Sequence, residues 1–191
     1  KLIVQGRTLA FINKANFPIN YERKTGILLP EVSINERSGL DVKIPVYLNL
    51  KTNLDLVVEP RVMTQRGIGL NNELRYLGKS YEGFFNFSAL NDSKSSYKNL
   101  ESDSLRWSYN LNHFQNIDSS TFFDLRASSA GDPFYLSDLG SIVSGLSRTF
   151  VLPNKVEISR FGRDYILKAD INSFKLVNPL GVNQYQRLSL I

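Results

Sequence analysis

The 191-residue chain contains no cysteine and a single histidine. The first absence excludes disulfides, a thiol nucleophile and cysteine metal sites within these residues, and the second excludes a multi-histidine metal centre. No metal or cofactor is therefore expected. Long apolar stretches are also missing: runs such as Ile27-Leu28-Leu29 and Leu56-Val57-Val58 are three residues long, and none approaches the roughly 18 or more of a transmembrane helix. A membrane is not excluded by this, because a transmembrane strand needs only about 9–11 residues with alternate side chains facing lipid. The 23 Lys and Arg outnumber the 18 Asp and Glu, but the two signs are interleaved along the chain. A clustered basic patch is what nucleic-acid binding requires, so no nucleic acid is expected as a partner.

What is present in quantity favours strands and turns over a helical bundle: 18 Asn and 21 Ser stand beside 22 aromatic residues. The length fits one domain, or a domain with a fragment of another. The first residue is Lys1, and the last residues, Leu188-Ser189-Leu190-Ile191, stop mid-pattern, so a piece of a longer chain is expected.

A period of two begins at residue 40 and recurs in blocks of about ten residues, the length of half-buried or membrane-spanning strands. Leu40, Val42, Ile44, Val46, Leu48 and Leu50 point one way, and Asp41, Lys43, Pro45, Tyr47 and Asn49 the other. The same dry register continues through Leu54 to Thr64, Ile68 to Tyr76, Tyr81 to Ala89, Leu105 to His113, Thr121 to Ala127 and Tyr165 to Ile171. Its 35 positions hold no Asp, Glu, Lys or Arg, whereas the intervening register carries 13 charges of both signs, among them Lys43, Arg61, Arg75, Arg106 and Arg126. One face is dry and the other is wet and charged.

The links between blocks are regular too. Residues 37–39, 51–53, 65–67 and 78–80 are tight hairpin turns rich in Gly, Asn and Ser. Two links are long, Asn91 to Ser104 and Ser128 to about Gly145. If strands run up and down from a first strand at about 26–36, both long links fall at the end that holds 37–39 and 65–67, as an up-and-down barrel requires. The last strands are placed at about 146–152, then a Pro153-Asn154 turn, 155–161, 165–177 and 187–191. Leu2 to Ile12 reads as one strand-like stretch, and Glu22-Arg23-Lys24 as a charged link.

Two small motifs suggest chemistry and are given structural readings. His113 with Ser104, Ser108 and Asp103 has the residue types of a hydrolase triad, but closeness in sequence does not make a triad and no Gly-x-Ser-x-Gly elbow occurs. Gly67-Ile68-Gly69 and Ser144-Gly145 read as turn glycines, because no helix follows them to complete a phosphate loop.

The run Arg23-Lys24-Thr25-Gly26-Ile27-Leu28-Leu29-Pro30 resembles the start of the first barrel strand in the LptD family of outer-membrane lipopolysaccharide-assembly proteins. Ile44-Pro45-Val46-Tyr47 resembles that family's second strand, and Glu59-Pro60-Arg61-Val62-Met63-Thr64-Gln65-Arg66-Gly67 its most recognisable run. Asp132-Pro133-Phe134-Tyr135 with Asp138-Leu139 is similar to an acidic and aromatic loop motif, and Tyr185-Gln186-Arg187-Leu188 to a late Tyr-x-Arg-Leu element. Leu50-Lys51-Thr52-Asn53 lacks the family's Ala-Pro-Asn turn, Ser189 stands where Pro is usual, and no Pro precedes Asn91-Asp92, which marks a divergent member.

The resemblance implies an all-β fold: residues 1–22 as the tail of a periplasmic β-jelly-roll domain, and residues 23–191 as the first ten or so strands of a large antiparallel transmembrane β-barrel in the bacterial outer membrane. It also implies transport of lipopolysaccharide into the outer leaflet through a lateral gate, with outer-membrane lipids, a plug lipoprotein inside the barrel and a periplasmic lipopolysaccharide-bridge protein as partners, and no covalent chemistry. Proline lacks the ladder N–H, so Pro30 and Pro45 within the first two strands would weaken that edge, as a lateral gate needs; the alternative is that each merely marks a bulge. Pro60 is read as a bulge or strand end. Lys43, Tyr47, Arg61, Arg75, Arg106 and Arg126 are the candidate lumen-facing path for a glycolipid's phosphates and carboxylates, and the same face also reads as a solvated lumen with internal ion pairs. Trp107, Tyr76, Tyr81 and Tyr109 are candidates for an interfacial girdle.

Two rival readings stay open on the sequence. A soluble β-sandwich or jelly-roll carbohydrate-binding module would pack its dry face on a second sheet, and an outer-membrane lipase would need His113.

Overall fold

The computed structural model describes residues 2–4, 7–10, 23–93, 105–139, 151–177 and 184–190. Leu2–Val4 (β1) and Arg7–Ala10 (β2) pair antiparallel as a sheet of their own, so the stretch expected as one strand is a hairpin.

The remaining strands form one antiparallel sheet in which almost every neighbour in sequence is a neighbour in space. Gly26–Ile27 (β3) and Glu31–Asn35 (β4) lie along one line, as do Gly39–Lys43 (β5) and Val46–Lys51 (β6) along the next. Then follow Leu54–Met63 (β7), Gly67–Leu77 (β8), Tyr81–Asp92 (β9), Leu105–Asn116 (β10), Thr121–Ala130 (β11), Val151–Phe161 (β12), Ile166–Leu176 (β13) and Gln184–Leu190 (β14). Since β3 with β4, and β5 with β6, are halves of interrupted strands, the twelve segments make ten strands, the number expected. From β7 to β13 each strand has 10–12 residues, enough to span a hydrocarbon layer when tilted. Among the described residues the sheet is open, with β14 at one edge and β3 and β4 at the other.

The side chains are distributed inversely to a soluble fold. Among the described residues sixteen polar or charged ones are buried against eight hydrophobic ones, while Ile68, Leu105, Val62 and Ile171 are 68, 58, 48 and 54% exposed. The register explains this: Leu48, Leu56, Leu74, Phe85, Leu111 and Ala127 lie side by side across six adjacent strands, one unbroken apolar row on the outward face. Buried Asp41, Asp55, Arg61, Ser88, Arg106 and Ser108 take the alternate positions on the inward face. Outward apolar and inward polar alternation is the pattern of a barrel wall facing lipid, and the second apolar sheet that a sandwich needs is not found among the described residues.

Loop lengths divide by end as the alternation predicted. Strand pairs close tightly at 52–53, 78–80, 117–120 and 162–165, whereas the strand ends that border the long links, Asp92, Leu105, Ala130, Val151, Leu176 and Gln184, lie at the other end beside 36–38 and 64–66. Two of the tight turns share one design: Gly78 N–H donates to Tyr81 O at 2.6 Å and Gly162 N–H to Tyr165 O at 2.8 Å, with each tyrosine ring lying over its glycine. At the long-loop end Gly67 has φ +130, and a Cβ there would fall on the Asn91 carbonyl oxygen, so glycine is required. Gly69, read as a second turn glycine, instead sits within β8 opposite Arg61 and Leu90.

Pro153-Asn154 is not a turn but part of β12, which runs unbroken from 151 to 161. The proline is tolerated because the β11 ladder has already ended at Lys155; Ser128 takes its place, donating from N–H to Asn154 Oδ1 at 2.7 Å and from Oγ to Pro153 O at 3.0 Å. The last strand begins at 184 rather than 187. Pro60 is neither bulge nor strand end: it lies inside β7, opposite Leu70, with the register unbroken on both sides. The link after β11 starts at 131 rather than 128 and contains a short helix, Tyr135–Leu139 (α1). Ser144 and Gly145 fall outside the described residues.

Candidate functional site

The first site feature is a line of weak pairing across the first three strands. Residues 28–30, ending in Pro30, interrupt the first strand, and Ile44-Pro45 interrupt the second at the same level. The Leu28 N–H donates to Pro45 O at 2.8 Å and the Ile44 N–H to Pro60 O at 3.0 Å. In an antiparallel strand a residue's N and O point to the same neighbour, so Pro45 offers no donor to the first strand and Pro60 none to the second. Three prolines thus lie on successive strands at one height. Three residues separate Ile27 from Glu31 while two separate Lys43 from Val46, so the first strand also carries one extra residue there, a bulge.

The second feature is the charged inward wall, and each predicted cation on it meets a carboxylate. Lys43 Nζ reaches Glu31 at 3.0 Å. Arg61 grips Asp41 through Nε at 2.8 Å and Nη2 at 2.6 Å, with both side chains buried. Arg75 Nε donates to Asp55 at 2.8 Å, and the Tyr47 hydroxyl donates to the same carboxylate at 3.3 Å. Arg126 lies 3.1 Å from Asp124 and is half-exposed. The structure therefore joins Tyr47 with Arg75 at the short-turn end, leaves Lys43, Arg75 and Arg126 accessible to differing degrees, and seals Arg61 and Arg106 in buried ion pairs.

Arg106 belongs to the third feature, which pattern reading missed. The segment 131–139 folds onto the inward face at the long-loop end. Arg106 holds Asp132 through Nε and Nη2, both at 2.8 Å, and through Nη1 reaches Asp92 at 2.8 Å and Asp138 at 2.9 Å. Arg66, predicted only as a turn residue, donates to Asp92 at 2.8 Å and to the Arg37 carbonyl at 3.3 Å. Tyr135 is fully buried with its hydroxyl donating to Ser88 Oγ at 2.8 Å, and with Leu136 and Leu139 it joins a small apolar cluster containing Met63, Leu90 and Ala130. Arg106 lies over the Tyr135 ring at 5.6 Å. The available signal was the Asp132-Pro133-Phe134-Tyr135 run, whose in-folding no periodicity foretells.

The girdle aromatics fall into two groups at opposite ends of the outward face. Tyr76 and Tyr81 cluster with His113 at the short-turn end, with centroids 5.7–6.5 Å apart. Trp107 stacks on Tyr109 at 6.1 Å and covers Gly131 towards the other end. His113 Nδ1 lies 2.8 Å from the Tyr76 hydroxyl on the outward face, whereas Ser108 is buried on the inward face of the same strand, so these two cannot share a triad. Ser104 and Asp103 fall outside the described residues.

Residues 7–130 match a family model described as LptD protein. The chain is 37% identical over 144 residues to LPS-assembly protein LptD of Nitrosomonas europaea, covering 75% of this chain and 19% of that protein. It is 34% identical over 166 residues to the protein of the same name from Alcanivorax borkumensis, covering 85% of this chain and 21% of the other, and 32% identical over 174 residues to that of Pseudomonas savastanoi pv. phaseolicola, covering 90% and 19%. The chain spans about a fifth of the length of the curated relatives it matches. With a family model covering more than half of it and an outward-apolar antiparallel wall, the chain belongs to the LptD family.

Proposed function

We propose that this chain forms part of the wall of an outer-membrane β-barrel that moves lipopolysaccharide to the outer leaflet, and that Pro30 and Pro45 mark the strand edge that opens as a lateral gate. Residues 23–191 supply the first strands of the barrel, and residues 1–22 the end of a periplasmic jelly-roll domain. By the usual arrangement of such barrels the short turns face the periplasm and the long loops the exterior. The observation that carries the reading is the line of absent donors at Pro45 and Pro60, which leaves the free edge of the wall less firmly zipped than its centre. Each missing ladder bond costs about 0.5–1.5 kcal/mol of pairing. The names of the relatives support the cargo, and the charged inward face with Lys43, Tyr47 and Arg75 supports a wet path for its headgroup. A plug lipoprotein within the barrel and a periplasmic bridge protein complete this reading. No covalent step is assigned to any residue.

The test is a photo-crosslinking amino acid at Tyr47 in the intact parent protein in cells. Lipopolysaccharide adducts that vanish when supply from the inner membrane stops are the expected result. Efficient crosslinking to other products, with no lipopolysaccharide adduct, would reduce these strands to a structural wall.

A further inference from the structure

On the inward face Arg61, Arg75, Arg106 and Arg126 each meet a carboxylate, and on the later strands Lys155 and Lys168 share Glu157 at 2.6 and 2.9 Å. Arg160 differs in both face and partner. It is the next-to-last residue of β12, opposite Thr121 of β11 and Leu167 of β13, so it belongs to the outward register with Ile158. Ser159 beside it is buried on the inward face. Arg160 is exposed, and its guanidinium has no acceptor among the described residues.

The other basic residue in the outward register between β7 and β13 is Lys175, near the long-loop end. Its Nζ donates to Ser129 Oγ at 2.9 Å and to Ala130 O at 2.8 Å. The charged neighbours of Arg160 do not neutralise it. Phe161 N–H donates to Ser120 O at 2.9 Å, which sets the 117–120 turn beside this end of β12. Asp118 in that turn accepts from Ser120 N–H at 2.8 Å and forms no ion pair with Arg160. Arg163 and Asp164, in the tight turn that follows, form none with it either.

Depth gives the lone cation its meaning. Arg160 stands two residues before Gly162, where the turn begins, or about 7 Å along the strand. Farther from the turn are Ile158 and Leu167, 45 and 57% exposed, and at the turn itself Tyr165 lies over Gly162. Tyrosine at the turn, a guanidinium next and bare aliphatic side chains beyond repeat the order of a glycerophospholipid's own parts from water inwards. Arginine presents parallel N–H donors to phosphate oxygens and is more weakly hydrated than an ammonium, so a phosphate at this level suits it.

We infer that Arg160 is a binding site for the phosphate of a glycerophospholipid in the periplasmic leaflet, with the chains of that lipid lying over Ile158 and Leu167. This rests on the barrel reading given above, which turns the outward face to lipid and the short turns to the periplasm. It places a fixed bilayer lipid on the outside of the wall, apart from the wet inward path.

The test uses the full-length parent with its partners, reconstituted in vesicles of equal parts phosphatidylglycerol and a phosphate-free galactosyl diacylglycerol with the same chains. A photo-crosslinking amino acid stands at Leu167, or at Tyr81, which lies at the same end of the outward face three strands away. Mass spectrometry of the adducts gives the ratio of the two lipids at each position. With Arg160 intact, phosphatidylglycerol is expected to be favoured at Leu167 by about fivefold over its ratio at Tyr81. R160Q should bring the two ratios together, and R160K, which keeps the charge without the fork, should fall between. Equal ratios at the two positions in the unsubstituted protein would mean that the guanidinium merely reaches past the lipid into water, and would overturn the site. A preference that survives R160Q would overturn the assignment to Arg160. In intact cells, a Leu167 adduct with lipopolysaccharide in place of glycerophospholipid would overturn the choice of lipid. Absence of adducts with either lipid at both positions would overturn the lipid-facing wall and the barrel reading with it.

Discussion

Arg106 holds Asp132 by two parallel hydrogen bonds, each 2.8 Å, across 26 positions of sequence and in full burial. This pair anchors the in-folded segment to the wall, and Asp92 and Asp138 complete the cluster on the same guanidinium. Arg106→Ala would leave buried carboxylates without their cation, a change that costs about 3–5 kcal/mol. Released from the wall, the segment becomes a substrate for external protease. The expected result is cleavage near residues 131–139 in intact cells at a protease level that spares the unsubstituted protein; Arg106→Lys, which keeps one charge and loses the fork, should fall between them. Equal resistance in all three would remove the anchoring role.

Gly67 provides a sharper test of the backbone. Its φ of +130 and the Asn91 carbonyl against its Cα leave no room for a side chain, while a Cβ at Gly26 meets nothing within 4 Å. Gly67→Ala is expected to destabilise the folded parent by about 1–3 kcal/mol and Gly26→Ala by less than about 1 kcal/mol. Urea unfolding from vesicles measures both, and a neutral Gly67→Ala would contradict the turn geometry.

Leu111 and Asn112 are adjacent in β10 and face opposite ways. Leu111 belongs to the apolar row, so Leu111→Arg should cost about 2–4 kcal/mol on insertion into a bilayer, whereas Asn112→Arg on the wet face should cost about 1 kcal/mol or less. Reversal of that order in a vesicle-folding equilibrium would refute the outward face as the lipid face.

The seam predicts uneven protection. Amide exchange should be at least about tenfold faster across residues 26–35 and 39–51 than across β8, β9 and β10, because the former lack donors at the prolines and the latter are continuous ladders. Uniform protection across the wall would count against a weak edge.

Asp118, in the tight turn between β10 and β11, offers a pH readout outside the membrane-spanning part. The Ser120 N–H donates to its carboxylate at 2.8 Å, and the Thr121 and Ser120 side chains add to this, so its carboxyl is held down to about 2. A depressed carboxyl contributes stability that is fully present above its ordinary value of 3.8 and lost as pH falls towards about 2. A carbon-13 titration of Asp118 in the detergent-solubilised protein should give a midpoint below about 3; an ordinary midpoint would mean the turn is open.

The strands from 39 to 92 and 105 to 130 were legible in the sequence because alternation is imposed by two different solvents, lipid and water, so the dry positions from Leu40 to Ala127 announce themselves. The number of strands and the side on which the long loops lie follow from the same cause. What was not legible depends on contacts remote in sequence. Asp132 and Tyr135 look like loop residues until Arg106 and Ser88 are brought beside them. Pro153-Asn154 has turn chemistry, and only the early end of the β11 ladder makes it compatible with a strand. At the candidate site the cations were predicted as such, but their carboxylate partners were not, because a register shift of a single residue decides which acid lies opposite which base.

The extra residue at 28–30 has a phase consequence. Below it, Ile27 opposite Val46 points outward from an odd position; above it, Val32 opposite Val42 points outward from an even one. Removing one residue from this stretch would turn Val32 and Ile34 towards water and Glu31 and Ser33 towards lipid while leaving Ile27 unchanged. The two halves of the first strand thus present their outward side chains in opposite phases, and the single extra residue at 28–30 is what reconciles them.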